Sequence, residues 1–282
     1  METDACLVQF PVTSGRIDTI KLLIDCHANQ RVDARLLEGS AQNPHIQGSC
    51  LGTDSFDSGK PGEQWVIFHF NKVIKKNGWY FLELRSNQNF KIIEGVHAPV
   101  GHLVQYPRKK CGIFIDNPYS EYSVATSFTP HPHRCAIIEI EPSQKSYDAS
   151  EMIAENSRPT NLPGLWISQP SQFSYPEFVE FHWSNPVTIS RIDIFFDPSF
   201  GYCTPPEPSF SGYEYAISLV KNYRIYFTNK DGKAKLVDEI KENTSAHQVH
   251  LFDACTIKSM EIEILSTHGL DRAQVFRVAA YE

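Results

Sequence analysis

Residues 176–197, PEFVEFHWSNPVTISRIDIFFD, decide the fold. Val179, Phe181 and Trp183 alternate with Glu180 and His182, and Ile192, Ile194 and Phe196 alternate with Asp193 and Phe195. A repeat of two sends successive side chains to opposite faces of an extended chain, so one face meets a core and the other meets water. A helix would bring apolar residues back every three to four positions, and this stretch does not.

Working outward, the same period recurs on both sides. Val66, Phe68 and Phe70 alternate with Trp65, Ile67 and His69, and Tyr80, Leu82 and Leu84 alternate with Phe81, Glu83 and Arg85. Tyr223, Ile225 and Phe227 stand against Arg224 and Tyr226, and Met260, Ile262 and Ile264 against Glu261 and Glu263. Between these runs lie turn-rich pieces: residues 52–62, 115–122, 197–215 and 228–233. The last holds Asp231-Gly232, a hairpin signal because glycine accepts the positive φ of such turns. Helical signals are confined to one short helix over ASEMIAEN (149–156) and a turn within EIKENTSAHQ (239–248). The reading is an all-β chain of two antiparallel jelly-roll β-sandwich domains in tandem, 1–142 and 143–282, divided at the polar segment beginning Pro142-Ser143-Gln144.

Composition narrows the function classes. The 282 residues are 41% hydrophobic and 21% charged, enough apolar mass for two cores. With 26 Lys+Arg against 33 Asp+Glu the net charge is −7, and no basic block is present. Sequence-independent nucleic-acid binding, which depends on neutralising phosphates, is therefore not expected. No apolar run approaches the ~20 residues of a spanning helix. The first residues, METDACLVQF, carry acids where a secretory signal carries Lys or Arg. As it stands the chain reads as cytoplasmic, or as exported if it is a fragment of a secreted protein. The seven cysteines (Cys6, Cys26, Cys50, Cys111, Cys135, Cys203, Cys255) include no C-x-x-C and read mostly as small buried hydrophobes, rather than a disulfide framework or zinc site.

Catalytic motifs are missing from the sequence. There is no G-x-S-x-G, H-E-x-x-H or P-loop pattern. Gly52, Gly59 and Gly62 have the wrong spacing for a dinucleotide fingerprint and precede a strand rather than a helix. His131-Pro132-His133 offers two imidazoles without a third ligand, and His247 and His250, three apart, face opposite sides of a strand. No metal site follows from either.

The order of motifs in the second half carries a resemblance. Trp166 with Ser168, the acid-flanked strand before Pro186, the Tyr223 strand, and Thr267-x-Gly269 followed by Ala273, Val275 and Tyr281 resemble the galactose-binding-like sandwich of the discoidin (coagulation factor 5/8 type C) superfamily. The stretch from Arg158 to Ser168 and the LVKNYRI segment (219–225) are also similar to the C-terminal region of bacterial FAD-dependent oxidoreductases. QWVIFHFN (64–71), WYFLELRSNQNFKI (79–92) and PHPHRCAIIEIEP (130–142) resemble the preceding sandwich there. The resemblance implies a non-catalytic carbohydrate-binding chain with a glycan as partner. It leaves open an accessory region partnering a flavoenzyme catalytic domain, and a protein-interaction module. Neither reading requires a cofactor of this chain. Relatives often hold a structural calcium, for which only Asp148, Glu151 and Glu155 are at hand.

Four residues are candidates for sugar contact: Arg158 and Asn161 in the loop before Trp166, and Tyr202 and Tyr213 in the long irregular segment 197–215. Arg presents a rigid fork of donors, and Asn both a donor and an acceptor, which suits hydroxyl groups. Arg158 is equally suited to pairing with Glu155 or with backbone carbonyls. The aromatics of 197–215 (Phe200, Tyr202, Phe210, Tyr213, Tyr215) form either a groove lip or a cap on their own core. Trp166 is either a core plug or a stacking platform, and Trp183 falls in phase with the core.

Overall fold

Strand-forming residues, β-branched and aromatic, dominate the described chain and take up extended backbone almost throughout. The computed structural model describes residues 2–13, 15–39, 47–95, 102–107, 122–124, 135–155, 162–168, 175–198 and 216–282. In the first half they form β1 (Glu2–Val12), β2 (Arg16–Cys26), β3 (Arg31–Gly39), β4 (Gln47–Asp57), β5 (Gly62–Val73), β6 (Gly78–Ile92), β7 (Glu94–Gly95), β8 (Leu103–Pro107), β9 (Tyr122–Val124), β10 (Cys135–Ala136) and β11 (Ile138–Glu141). In the second half follow β12 (Trp166–Ile167), β13 (Glu177–Phe196), β14 (Val220–Thr228), β15 (Ala234–Ile240), β16 (His247–Thr267) and β17 (Gln274–Tyr281). The strand pairings described among these elements are antiparallel. By its internal contacts the chain divides into two compact units, the strands up to Ser146 building one and those after Tyr147 the other.

The first unit is a sandwich closed by bent strands. β2 pairs with β5 along its length and with β11 over Thr19–Leu22. The facing layer runs β4-β3-β6-β1-β8-β9. The layers join where the end of β6 reaches Ile24 and Asp25 of β2. Between them lie Val8, Phe10, Ile20, Leu22, Val66, Phe68, Leu82 and Leu84 in one buried cluster. Val66, Phe68 and Phe70 point inward and Trp65, Ile67 and His69 outward, as their alternation predicts.

β6 departs from the expected pattern. Phe81 and Glu83, expected to face water, are buried along with Tyr80, Leu82 and Leu84. Phe81 packs with Ala5, Leu7 and Leu37 in a separate cluster on the side away from the main core. The physical reason is position: β6 lies between β1 and β3, and a central strand covered on both faces loses the polar half of its alternation.

The second unit obeys the period-two reading more closely. β13 and β16 are long strands paired along most of their length, with bulges between His182 and Val187 and between Ile189 and Arg191. Those bulges bend the ribbon, so each strand serves two layers. One layer is β13 (177–182), β16 (259–264), β14 and β15, and the other is β17, β13 (191–196) and β16 (247–251), with β12 at its edge. Pro186 lies inside β13 at the first bulge, where the ladder is interrupted, rather than ending the strand. The core between the layers collects Val179, Ile192, Ile194, Phe196, Tyr223, Ile225, Ile262, Ile264 and Val275, with Trp166 and Trp183 half-buried against it.

The Asp231-Gly232 hairpin forms as expected. Gly232 has φ 77° and donates its N–H to the Asn229 carbonyl at 3.1 Å, while the Asn229 side chain accepts from Asp231 and Lys233. The short helix expected over 149–156 is a 3₁₀ turn (Ala149–Ile153) whose N-cap Asp148 accepts from Ser150 N–H at 3.0 Å. Among the described cysteines Cys6, Cys26, Cys50 and Cys255 are free; Cys6 and Cys26 are buried, Cys255 is half-buried, and Cys50 is exposed rather than packed. Burial pushes the Cys26 thiol up to about 11 and raises that of Cys6 further. No described helix is long and apolar enough to cross a membrane.

Candidate functional site

Strand ends define one rim of the second unit. β13 ends there at Phe196, β14 begins at Val220, β15 ends at Ile240, β16 both begins and ends there, and β17 starts at Gln274. The described connections at this rim are 164–168, 197–198, 216–219, 241–246 and 268–273.

Buried polar side chains hold these connections in place. Asn243 is the hub. Its side-chain amide donates to the Val220 carbonyl at 2.7 Å, its side-chain oxygen accepts from Ser245 N–H at 2.9 Å and from the Gln248 amide, and its own N–H donates to the Lys221 carbonyl. The Asn243 carbonyl accepts from His268 Nε2 at 2.7 Å, which fixes that imidazole with its proton on Nε2. His268 N–H donates to the Leu219 carbonyl and Leu270 N–H to the Ile217 carbonyl, each at 3.0 Å. Thr267 Oγ1 donates to the Leu270 carbonyl and accepts from Gly269 N–H.

The other side of the rim is tied in the same way. The Ser218 hydroxyl donates to the Asp197 carbonyl at 3.1 Å, and Ser168 Oγ accepts from Ala273 N–H at 2.9 Å. The Tyr175 hydroxyl donates to the Leu270 carbonyl, and burial pushes its pKa up to about 12. Most of these bonds satisfy a backbone group that strand pairing leaves open, and they tie the connections to the strands.

Asp238, His250 and Tyr223 have the order of a catalytic relay but serve the core. His250 Nδ1 lies 2.7 Å from Asp238 and Nε2 lies 3.0 Å from the Tyr223 hydroxyl. Tyr223 is fully buried and edge-on to Phe196, and burial drives its hydroxyl far above the ordinary phenol range. His250 is buried too, at 4%, while the Asp238 side chain is 40% exposed, so the Tyr223 hydroxyl and the imidazole are satisfied inside the core with the acid at its edge. His247 sits on the opposite face of β16, against Asp193 at 3.3 Å.

Among the described residues no group of three or more His, Cys, Asp or Glu gathers at metal-binding distance. Asp148 is engaged as the cap of the 3₁₀ turn, and Glu151 beside it is raised by burial and then by the Asp148 charge.

The four residues expected to meet sugar, Arg158, Asn161, Tyr202 and Tyr213, lie outside the described residues, as do Phe200, Phe210, Tyr215 and His131–His133. The chain flanking 199–215 is described: Asp197 is tied to Gln274 and Ser218, and Ala216 accepts from Leu219 N–H. Trp166, paired with Val275, packs half-buried on the core rather than standing clear as a platform. Asn243, Ser218 and His268 escaped the sequence reading, because an Asn or Ser in a polar turn looks like any other until its distant carbonyl partner is known.

No protein-family model and no curated protein matches the chain. Solved structures do resemble part of it. The family 32 carbohydrate-binding module of Streptococcus pneumoniae EndoD is 19% identical over 48% of this chain and 86% of its own, with a TM-score of 0.38. The family 32 module of C. perfringens NanJ, solved in complex with galactose, is 20% identical over 48% of this chain and 84% of its own, at 0.36. A fucose-binding module of Streptococcus pneumoniae is 11% identical over 49% and 88%, at 0.37.

Proposed function

We propose that the chain is a non-catalytic carbohydrate-binding protein whose second unit takes a mono- or oligosaccharide at the rim just described. The observation that carries this reading is the rim itself: connections fixed by the buried side chains of Asn243, Ser218, Thr267 and Ser168, on a body whose interior is filled by apolar packing. Loops pre-set in this way lose little freedom on binding, which a ligand held by a few hydroxyl hydrogen bonds requires. Such bonds are worth roughly 0.5–1.5 kcal/mol each, so affinities of about micromolar to millimolar follow.

Arg158, Asn161, Tyr202 and Tyr213 are the proposed contacts, on the strength of the sequence resemblance and their residue chemistry. Calorimetric titration of the full chain with galactose, N-acetylgalactosamine, fucose and short oligosaccharides tests the reading. The expected result is saturable weak binding that Arg158→Ala abolishes without lowering thermal stability. Absence of any binding at millimolar sugar overturns it.

A further inference from the structure

The outer face of β17, β13 and β16, on the side away from the second core, carries a connected set of charged and aromatic groups. Asp193 is clamped by Arg191, with Nε to Oδ1 at 2.6 Å and Nη2 to Oδ2 at 2.7 Å. His247 Nε2 reaches Asp193 Oδ2 at 3.3 Å, and its ring stacks on Phe195 at 4.1 Å and 7°. At the other end the Arg191 guanidinium lies over the Tyr281 ring, 5.2 Å from its centre. Val249 and Leu251 of β16 lie beside this row, across from Asp193 and Arg191. Exposure is high for a sheet face: Tyr281 41%, Val249 43% and Leu251 76%.

We propose that this face is a second carbohydrate-binding surface, taking a neutral oligosaccharide laid along β13. Three features select that ligand class. First, the carboxylate of this face, Asp193, has both oxygens occupied by Arg191 and His247, and of the two arginines here Arg191 is tied to that acid while Arg277 reaches the Glu155 carbonyl at 3.4 Å. An ionic ligand would have to break that pair, whereas a polyol need not. Second, with Nε2–H directed at Asp193, the imidazole of His247 keeps Nδ1 as an acceptor for a hydroxyl, and Arg191 keeps guanidinium donors beyond the two given to Asp193. Third, aromatic rings stand at both ends, the Phe195–His247 stack and Tyr281, and rings of this kind complement the C–H faces of sugars.

Length sets the ligand's size. Tyr281 pairs with Arg191 and His247 with Phe195, four residues apart on β13. At about 3.3 Å per residue the two aromatic ends are ~13 Å apart. A single pyranose cannot reach both, so the surface suits two or more linked rings. This inference does not depend on the rim reading.

Amide-resolved NMR titration of the full chain tests it, with cellobiose, lactose, chitobiose and their trisaccharide homologues as neutral probes and sialyllactose as an acidic one. Expected are saturable shifts at residues 191–195, 247–251 and 277–281 with a neutral probe, weakened about tenfold by Tyr281→Ala and kept by Tyr281→Phe. An unchanged melting temperature and unchanged amide spectrum in the core separate lost contact from lost fold. Shifts confined to 216–219, 241–246 and 266–273 leave the rim reading standing and overturn this one. So do silence on the face at millimolar probe, preference for sialyllactose, or binding that survives both Tyr281→Ala and His247→Ala.

Discussion

Both units place an acid on a strand face that looks away from the main core, and both clamp it from two sides. In the first unit Glu83 accepts from Arg85 on its own strand at 2.8 Å and from Arg35 on the neighbouring strand at 2.8 Å. In the second, Asp193 accepts from Arg191 on its own strand, with His247 reaching in from the next. Both acid side chains are only 5% exposed. The shared device follows from strand geometry, which puts residues two apart on the same face.

What surrounds the clamp differs. Around Glu83 the same face holds Ala5, Leu7, Leu37 and Phe81, all buried, whereas around Asp193 it holds Val249, Leu251 and Tyr281, all open to water. The arginines that hold the two acids are about equally exposed, Arg35 49%, Arg85 54% and Arg191 45%, so the contrast lies in the apolar neighbours and not in the ion pairs.

A leucine on each face gives the sharpest way to break that contrast. Leu7 is fully buried beside Glu83, and Leu251 is 76% exposed beside Arg191. Leu7→Ala is expected to cost about 2–5 kcal/mol, the loss of burial plus a cavity. Leu251→Ala should stay within about 0.5 kcal/mol. Urea unfolding of the two variants measures the difference, and equal costs would mean the two faces are alike after all.

Neutralising the acids should not separate the units. Glu83→Gln and Asp193→Asn are each expected to cost about 1–2 kcal/mol, because both carboxylates are 5% exposed and each loses charge-assisted hydrogen bonds. Asp193 carries a pH signature as well. The Arg191 hydrogen bonds, with His247 adding to them, hold its carboxyl below the usual range against the opposing effect of burial. A depressed acid contributes its stability above the unfolded value, about 3.9, and loses it as pH falls through the folded one. The gap between wild type and Asp193→Asn should therefore be full at pH 6 and shrink as pH falls below about 3.9, read by thermal unfolding down that range.

The alternation of 176–197 foretold which side chains of β13 enter the core, and Asp231-Gly232 foretold a turn, because both depend on local chemistry. Phe81 was misjudged for the opposite reason: WYFL (79–82) is a continuous apolar run as well as part of an alternating one. Only the tertiary neighbours β1 and β3 decide between one-sided and two-sided burial. Arg158 and Tyr202 stand out in the sequence for their residue chemistry in long loops. Asn243 does not, because its distant partners, the carbonyls of Val220 and Lys221, are brought to it only by the fold.

The smallest expected effect has the opposite sign. Glu180 and Glu261 are direct cross-strand partners on the outer face of the other layer, and Glu263 follows two residues on. Burial raises the Glu261 pKa, and the charges of Glu180 and Glu263 raise it further. A carboxylic acid whose folded value exceeds its unfolded one binds its proton more tightly in the native state, so the fold loses stability as pH rises through that range. Like charges directly opposite in a sheet cost a few tenths of a kcal/mol at an exposed site. Glu261→Gln should therefore stabilise the chain by roughly 0.3–0.5 kcal/mol at pH 7, and the gain should vanish below about pH 4, where unfolded Glu is itself protonated. Asp193→Asn and Glu261→Gln, measured over the same pH range, thus give stability differences of opposite sign that converge to zero from opposite sides. Glu263 is held by Arg224 and Tyr226; if the Glu261 variant proves destabilising at neutral pH, Glu261 too is held by a partner, and its reading as an unclamped acid falls.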